Sequence, residues 1–396
     1  MTDVSLVRCE EYGRENAYGA VTRAIDLIGG VGRFVRPGER VLVKPNILHP
    51  SSPDKAVCTH PDIIHAVCRL LREHGCEVLI ADSPGAGSVY GPSQMEKAYE
   101  TTGYGQVARD LGVELNVDVS SLMVQNPGGM LIKMFPLIKP ATQVDAIVIV
   151  SKLKTHSLTY MTAGTKNAFG LVAGMEKATF HGRLPDPDDF ARMLVDLNEL
   201  VRPRLEIIDA VLAMEGGGPY SGSPRKIGAV LASDSYAAID VVAAKLIGIE
   251  PMDVPTIRAA VERGVLKSGL EDVVVKGDGL EGLAVKDFKG PPTYDEGGMK
   301  GLNVLVKKAT ALAKAYALRP EIIKRNCTGC GRCERSCPMN VIKMRKGVAR
   351  IMYRRCIRCY TCHEMCTSAA IELKRGLGGR MAVMIFERRN RVEGAR

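Results

Sequence analysis

The chain has 396 residues, 46% of them hydrophobic and 25% charged, with no Trp and only 5% aromatic residues, which allows two or three domains with a sizeable core. No apolar run approaches the roughly eighteen residues that cross a bilayer, and Met1-Thr2-Asp3-Val4 lacks a basic-then-apolar leader, so a cytoplasmic protein with no transmembrane segment is expected. The net charge of +10 is lopsided: residues 321–396 hold 18 Lys+Arg against 6 Glu, and the rest of the chain is close to neutral.

Residues 1–280 alternate short apolar runs with amphipathic stretches, the pattern of an α/β domain. Strands are expected at 4–9, 40–45, 77–82, 144–151, 205–212, 228–232 and 272–276. Helices are expected at 17–28, closed by Gly29-Gly30, and at 61–74, opened by Pro61 and closed by Gly75. Three more fall at 93–111, 188–200 and 235–246. The strand runs at 41–45, 78–82 and 145–150 are apolar on both faces, so a mostly parallel sheet with helices on both faces follows. Residues 122–138, interrupted by Asn126-Pro127-Gly128-Gly129, suggest a hairpin beside that sheet.

The α/β domain is expected to end near 290. A linker with Pro291-Pro292 and a connecting helix at 303–318, stopped by Pro320, lead to a small α+β unit at 321–374. Residues 375–396 form a basic tail with an apolar patch at 381–386.

The small unit carries eight of the twelve cysteines, in two runs of C-x2-C-x2-C-x3-C. This is the spacing of two-cluster bacterial ferredoxins, in which three close cysteines wrap one cubane and the fourth reaches the other. One 4Fe-4S cluster is assigned to Cys327, Cys330, Cys333 and Cys366, and the second to Cys356, Cys359, Cys362 and Cys337. Pro338 follows Cys337 as the motif expects, whereas Thr367 follows Cys366. Zinc is the competing ligand for paired C-x2-C units, but two complete four-cysteine runs suit two cubanes better. Cys9, Cys58, Cys68 and Cys76 have neither disulfide nor metal spacing and fit buried apolar positions in a reducing compartment.

Ligands of open parallel sheets gather beyond the carboxyl ends of the strands. Polar residues cluster there: Lys44 and Asn46 after the second strand, 82–88 with Asp82 and Gly85 after the third, and Lys152, Lys154 and His156 after the fourth. Lys166 and Asn167 follow, then Gly216-Gly217-Gly218 after the fifth strand. Glycines let a backbone approach an anion, lysines neutralise it, and His156 is the candidate catalytic proton donor. Lys44, Asn46, Asp82, Gly85, Lys152, Lys154, Lys166 and Asn167 are the candidate substrate-binding residues for a small anionic ligand. No dinucleotide fingerprint or Walker sequence is present, so no flavin or nicotinamide can be assigned.

Lys44-Pro45-Asn46, Thr59-His60-Pro61, Asp82-Ser83-Pro84-Gly85, Lys152-Leu153-Lys154-Thr155-His156 and Lys166-Asn167-Ala168-Phe169-Gly170 occur in this order. With the cysteine runs, they resemble a family of iron–sulfur proteins in which a large domain of unknown function precedes a two-cluster ferredoxin module. The resemblance spans about 1–375 and implies a cytoplasmic iron–sulfur protein without naming a substrate. The layout of the first domain is also similar to the amino-terminal part of lactate racemase-like proteins, from which no residue is carried over.

Three functions remain in view. The chain is an iron–sulfur oxidoreductase passing electrons to or from an anion held in the α/β domain, a ferredoxin-type carrier with a docking or sensing domain, or a non-redox α/β enzyme with structural clusters. The basic carboxyl-terminal end points to an acidic redox protein as partner. Nucleic acid is disfavoured, since no stacking platform or helix-turn-helix accompanies the charge.

Overall fold

Along the strand at residues 41–43, Val41 and Val43 enter one core and Leu42 enters another, because successive strand side chains take opposite faces. Both faces are therefore covered. The computed structural model describes residues 1–85, 90–267, 270–295 and 318–374. The loop residues Ala86, Gly87 and Ser88, the connecting helix expected at 303–318 except Leu318, and the tail at 375–396 lie outside them.

The strands in chain order are β1 (Thr2–Arg8), β2 (Arg40–Lys44), β3 (Glu77–Ile80), β4 (Glu114–Leu115), β5 (Ser121–Gln125), β6 (Met134–Ile138), β7 (Ala146–His156), β8 (Tyr160–Thr162), β9 (Leu205–Glu215), β10 (Ser223–Ser233) and β11 (Val273–Gly277). Nine form one mixed sheet in the order β11-β1-β10-β9-β7-β2-β3-β4, with β8 folded back on β7. Pairing is parallel from β9 through β7, β2 and β3 to β4, and β10 runs against both β9 and β1. β5 and β6 make the separate hairpin that the Asn-Pro-Gly-Gly turn predicts. Its turn is held by Asp196, whose buried carboxylate accepts the backbone N–H groups of Met130, Leu131 and Ile132 at 2.7–2.8 Å.

Helices α1 (Arg14–Asp26), α2 (Pro61–Glu73), α3 (Pro92–Thr102) and α4 (Tyr104–Leu111) cover one face. The other carries α5 (Gly164–Asn167), α6 (Glu176–Arg183), α7 (Pro187–Val201), α8 (Tyr236–Leu246) and α9 (Pro255–Arg263). The single helix expected at 93–111 is two helices, because Gly103 turns left-handed (φ 83°) and ends the first. At the start of α2 the His60 ring accepts the Asp62 N–H at 3.2 Å, the cap that Pro61 at the first turn implies. Among the described residues no helix is long and apolar enough to cross a membrane.

The ferredoxin-like module follows, with short antiparallel pairs β12 (Arg319–Ile322) with β15 (Ile371–Lys374) and β13 (Ile342–Arg345) with β14 (Val348–Ile351). Its halves repeat. Gly329, Gly331 and Asn340 take positive φ in the first, and Arg358, Tyr360 and Ala369 take it at the matching positions of the second. A left-handed conformation costs a residue with Cβ roughly 1–2 kcal/mol, so the second half holds strain that the first mostly avoids. Ala369→Gly is expected to raise the thermal midpoint of the anaerobic protein, by the equivalent of about 1 kcal/mol. An unchanged or lowered midpoint would remove the strain argument.

Candidate anion site and cysteine cavities

β7 does not stop at Ser151 as the sequence suggests. It continues through Lys152-Leu153-Lys154-Thr155-His156, every residue buried. β9 flanks it on one side, and β8 folds back so that Thr155 pairs with Met161 and His156 with Tyr160. A charged run that reads as a loop thus becomes a strand whose polar side chains must find partners inside the protein.

Lys152 finds a full set. Its Nζ lies 2.9 Å from Asp209 Oδ2 and donates to the Tyr12 hydroxyl at 2.7 Å. Tyr12 donates to Asp209 at 2.9 Å and stacks on His60 at 3.5 Å between ring centroids. This ties the start of α2 to the sheet and leaves Lys152 apart from the other candidates. Lys154 is less well supplied, since among the described residues its Nζ donates only to the Val57 carbonyl, at 2.6 Å. Burial pulls its ammonium down to about 7, with the nearby Lys166 and Lys152 acting the same way and the Cys58 thiol opposing them.

His156 Nδ1 accepts the N–H groups of Leu158 and Thr159 at 3.1 and 3.3 Å. The neutral ring therefore carries its hydrogen on Nε2, which faces Glu364 Oε1 at 3.4 Å. Burial, then Lys166, hold His156 well below the ordinary histidine range. The expected proton donor is thus a neutral hydrogen-bond donor near pH 7.

β2 ends at Lys44, opposite Ile149 of β7, and the step left there holds a second group. Lys44 Nζ lies 2.8 Å from Asp82 Oδ1 and donates to Asn167 Oδ1 at 2.9 Å and to the Pro45 carbonyl at 2.6 Å. Asp82 also accepts the Ile47 and Ser83 N–H groups at 2.7 and 2.8 Å. Asn46 donates to Asn167 Oδ1 at 3.1 Å, which leaves Asn46 Oδ1 and Asn167 Nδ2 buried without partners. Gly170 closes over this group. A Cβ there would stand 2.1 Å from Asp82 Oδ1 and 2.5 Å from Lys44 Nζ. Gly85 packs on Leu48 and gives its N–H to the Leu48 carbonyl, a packing position in this structure.

Lys166, on α5, lies within electrostatic reach of Lys44, Asp82, Lys154, His156, Lys177, His181 and Glu364. Burial lowers its ammonium, Glu364 opposes that shift, and Lys166 has no hydrogen-bond partner among the described residues. Sequence reasoning missed Lys177, which donates to Ser83 Oγ at 2.7 Å and to the Val172 carbonyl at 2.6 Å. It also missed Glu364 and Asp209. Asp209 had a signal, an acid that shares an otherwise apolar strand run with Glu206, and so did Glu364, an acid in a segment nearly devoid of them.

The ferredoxin-like module closes this edge of the sheet. Ser221 donates to the Cys366 carbonyl at 3.0 Å, Arg332 reaches His49 Nε2 at 2.8 Å, and Met365 joins the core on the face of the sheet that α1 and α2 cover. Within the module, one cavity is lined by Cys327, Cys330, Cys333 and Cys366, and another by Cys337, Cys356, Cys359 and Cys362. The Val341 and Ala370 N–H groups point at Cys337 and Cys366 Sγ at 3.4 and 3.1 Å, as donors to thiolates would. Cys9, Cys58, Cys68 and Cys76 are all buried.

Two outcomes follow. Gly170→Ala should lower stability by about 3–5 kcal/mol, the scale of a broken buried ion pair, whereas Gly19→Ala, with open space around its Cβ, should be neutral or slightly stabilising. Denaturant unfolding under anaerobic conditions measures both. For Lys154 the native pKa is depressed from 10.5 to about 7. The unfolded lysine keeps its proton to about pH 10.4, so between 7 and that value the unfolded state binds more protons and stability rises with pH. Lys154→Met should therefore remove about 1.4 kcal/mol per pH unit from that slope between pH 8 and 9.5. An unchanged slope would mean that Lys154 stays charged.

The family model described as "Domain of unknown function (DUF362)" matches residues 41–245, and that described as "4Fe-4S dicluster domain" matches 319–367. The thylakoid-associated protein sll1697 of Synechocystis sp. is 32% identical over 275 residues, which cover 68% of this chain and 81% of that protein. A solved protein of Thermotoga maritima aligns at 14% identity and TM-score 0.33 over 55% of each chain. The lactate racemase apoprotein of Thermoanaerobacterium thermosaccharolyticum aligns at 11% identity and TM-score 0.36 over 60% of this chain and 54% of its own. The chain spans about half the length of either solved structure, and likeness at those scores carries no argument. The family matches and the Synechocystis relative do: the chain belongs to the DUF362 family, with the family's domain followed by a 4Fe-4S dicluster domain, and is an iron–sulfur protein.

Proposed function

We propose that the chain is an iron–sulfur oxidoreductase that exchanges electrons between a protein carrier and a small anion held where β2, β3 and β7 end. The observation that carries this reading is the pair of four-cysteine cavities pressed against that edge of the sheet. Each cavity takes three sulfurs from one run and one from the other, and their walls are otherwise largely apolar, which fits two cubane clusters. Cys327, Cys330, Cys333 and Cys366 would hold one, and Cys337, Cys356, Cys359 and Cys362 the other. When bound, such clusters supply one-electron transfer with little rearrangement.

The protein's own residues do the rest. Lys154 and Lys166, neither of which has a carboxylate hydrogen bond among the described residues, would neutralise the anion. The unpartnered amide atoms of Asn46 and Asn167 would orient it beside Lys44 and Asp82. His156, neutral, would orient through its Nε2 hydrogen rather than supply a proton. The free buried thiols suit a reducing, cytoplasmic setting. The near-complete burial of Lys44, Asp82 and Lys154 favours a second reading, a carrier whose α/β domain only docks or senses.

Anaerobic reconstitution with iron and sulfide analysis and electron paramagnetic resonance tests the first part, with about eight irons per chain expected. Zinc alone, or half that iron with all sulfurs intact, would end the redox reading. Steady-state turnover of small anions by reduced protein separates the two readings. Lys166→Gln should then raise KM at least about tenfold, whereas a pure carrier would show reducible clusters and no turnover.

A further inference from the structure

Residues 319–374 hold thirteen Lys+Arg and four Glu, and every one of those acids is committed. Glu321 lies 2.7 Å from Arg319, Glu372 2.6 Å from Lys374 and Glu334 3.6 Å from Lys343, while Glu364 is buried against His156. Ten cations lie outside those pairs, and five of them, Arg345, Lys346, Arg350, Arg354 and Arg355, lie on the hairpin and the turn that follows it, beside Lys343. In the hairpin, Lys343 pairs with Arg350 and Arg345 with Val348, so these four share the outer face, and Ile342, Met344, Ala349 and Ile351 share the inner one. Lys343, Arg345, Lys346 and Arg350 are exposed, and the turn after β14 adds exposed Arg354 and Arg355. Met352 and Tyr353 beside them are 50% and 42% exposed, an apolar patch within a cationic rim. Ile342 and Ile351, on the inner face, line the cavity of Cys337, Cys356, Cys359 and Cys362.

We propose that the outer face of the β13–β14 hairpin, with Arg354 and Arg355, is the docking surface for an acidic protein electron carrier. This rests on the electron-transfer reading above and gives it a location. Opposite potentials steer encounter and fix orientation, and a partner seated here is one strand layer from a cysteine cavity. A lipid surface or a nucleic acid would answer the charge, but neither has a use for the cavity behind it. The exposed Met352 and Tyr353 match the apolar centre that protein interfaces place inside a polar rim.

The test is isothermal titration of the reconstituted full chain with an acidic two-cluster ferredoxin at low ionic strength. Wild type should bind with an affinity that falls as salt rises, and the triple variant Lys343→Glu, Arg345→Glu, Arg350→Glu should bind about tenfold or more weakly. All three side chains are exposed, and iron content reports whether the variant has kept its fold. Equal affinity of variant and wild type overturns the proposal. So does variant-sensitive binding to phosphatidylglycerol vesicles or to single-stranded DNA with ferredoxin affinity unchanged, which would assign the face to lipid or nucleic acid. Reduced methyl viologen, a small cation that needs no docking, should reduce both proteins alike. If it reduces neither, the electron-transfer reading fails whatever the titration shows.

Discussion

An ammonium or imidazolium shut away from water must be answered by a charge or dipole inside the protein, or give up its proton. β7 imposes that constraint at every second residue of its end: Lys152, Lys154 and His156, all buried. Their answers differ. Asp209 and Tyr12 complete Lys152, a single carbonyl meets Lys154, and His156 is left neutral with its Nε2 hydrogen toward Glu364. The graded supply of partners separates a structural tie under α2 from an edge with cationic capacity to spare. It also explains why β9 and β8 must flank β7 to its end, since an exposed strand end would let water do the answering.

That edge is not finished by the α/β domain alone. Glu364 belongs to the ferredoxin-like module, two residues from Cys362 and two from Cys366; it faces His156 at 3.4 Å and acts electrostatically on Lys166. Burial raises its carboxyl above the ordinary range and Lys166 opposes that shift, so each depends on the other being in place. The arrangement couples the two units through charge as well as through Met365 and the Ser221 bond. With the module undocked, Lys166 would lose, among the described residues, the carboxylate outside the Lys44–Asp82 pair that favours its charged form.

The sequence made the sheet legible where strands are apolar on both faces, because that pattern is local: Val41-Leu42-Val43 and Ala146–Val150 announce themselves. It failed at 152–156, where a run of Lys, Thr and His looks like a solvated loop. What keeps that run extended is pairing with Met214 and with Tyr160–Thr162, and no local periodicity records it. The same holds for the site. Lys44, Asn46, Asp82 and Asn167 are brought together from three separate chain segments, and their strand-end positions pointed there. Lys177 sits on a short helix with no motif around it, and its role appears only when Ser83 is seen across from it. The cysteine runs were readable because their spacing is itself the geometry that gathers four of them around each cavity.

The missing proline after Cys366 shows how far such spacing can stand without its usual support. In the first half Pro338 follows Cys337, Asn340 turns left-handed at φ 51°, and the Val341 N–H reaches Cys337 Sγ. In the second half Thr367 replaces the proline, yet Ala369 makes the same turn at φ 48° and the Ala370 N–H reaches Cys366 Sγ at a shorter distance. The proline is therefore not what shapes the loop. The left-handed residue three places after the cysteine is, since it turns the next N–H back onto the sulfur. Asn adopts that conformation readily and Ala does not, so the second half reaches the same donor geometry against its own backbone preference. A constraint strong enough to hold Ala369, Arg358 and Tyr360 left-handed together must come from outside local propensity, and the four sulfurs converging on each cavity are placed to supply it.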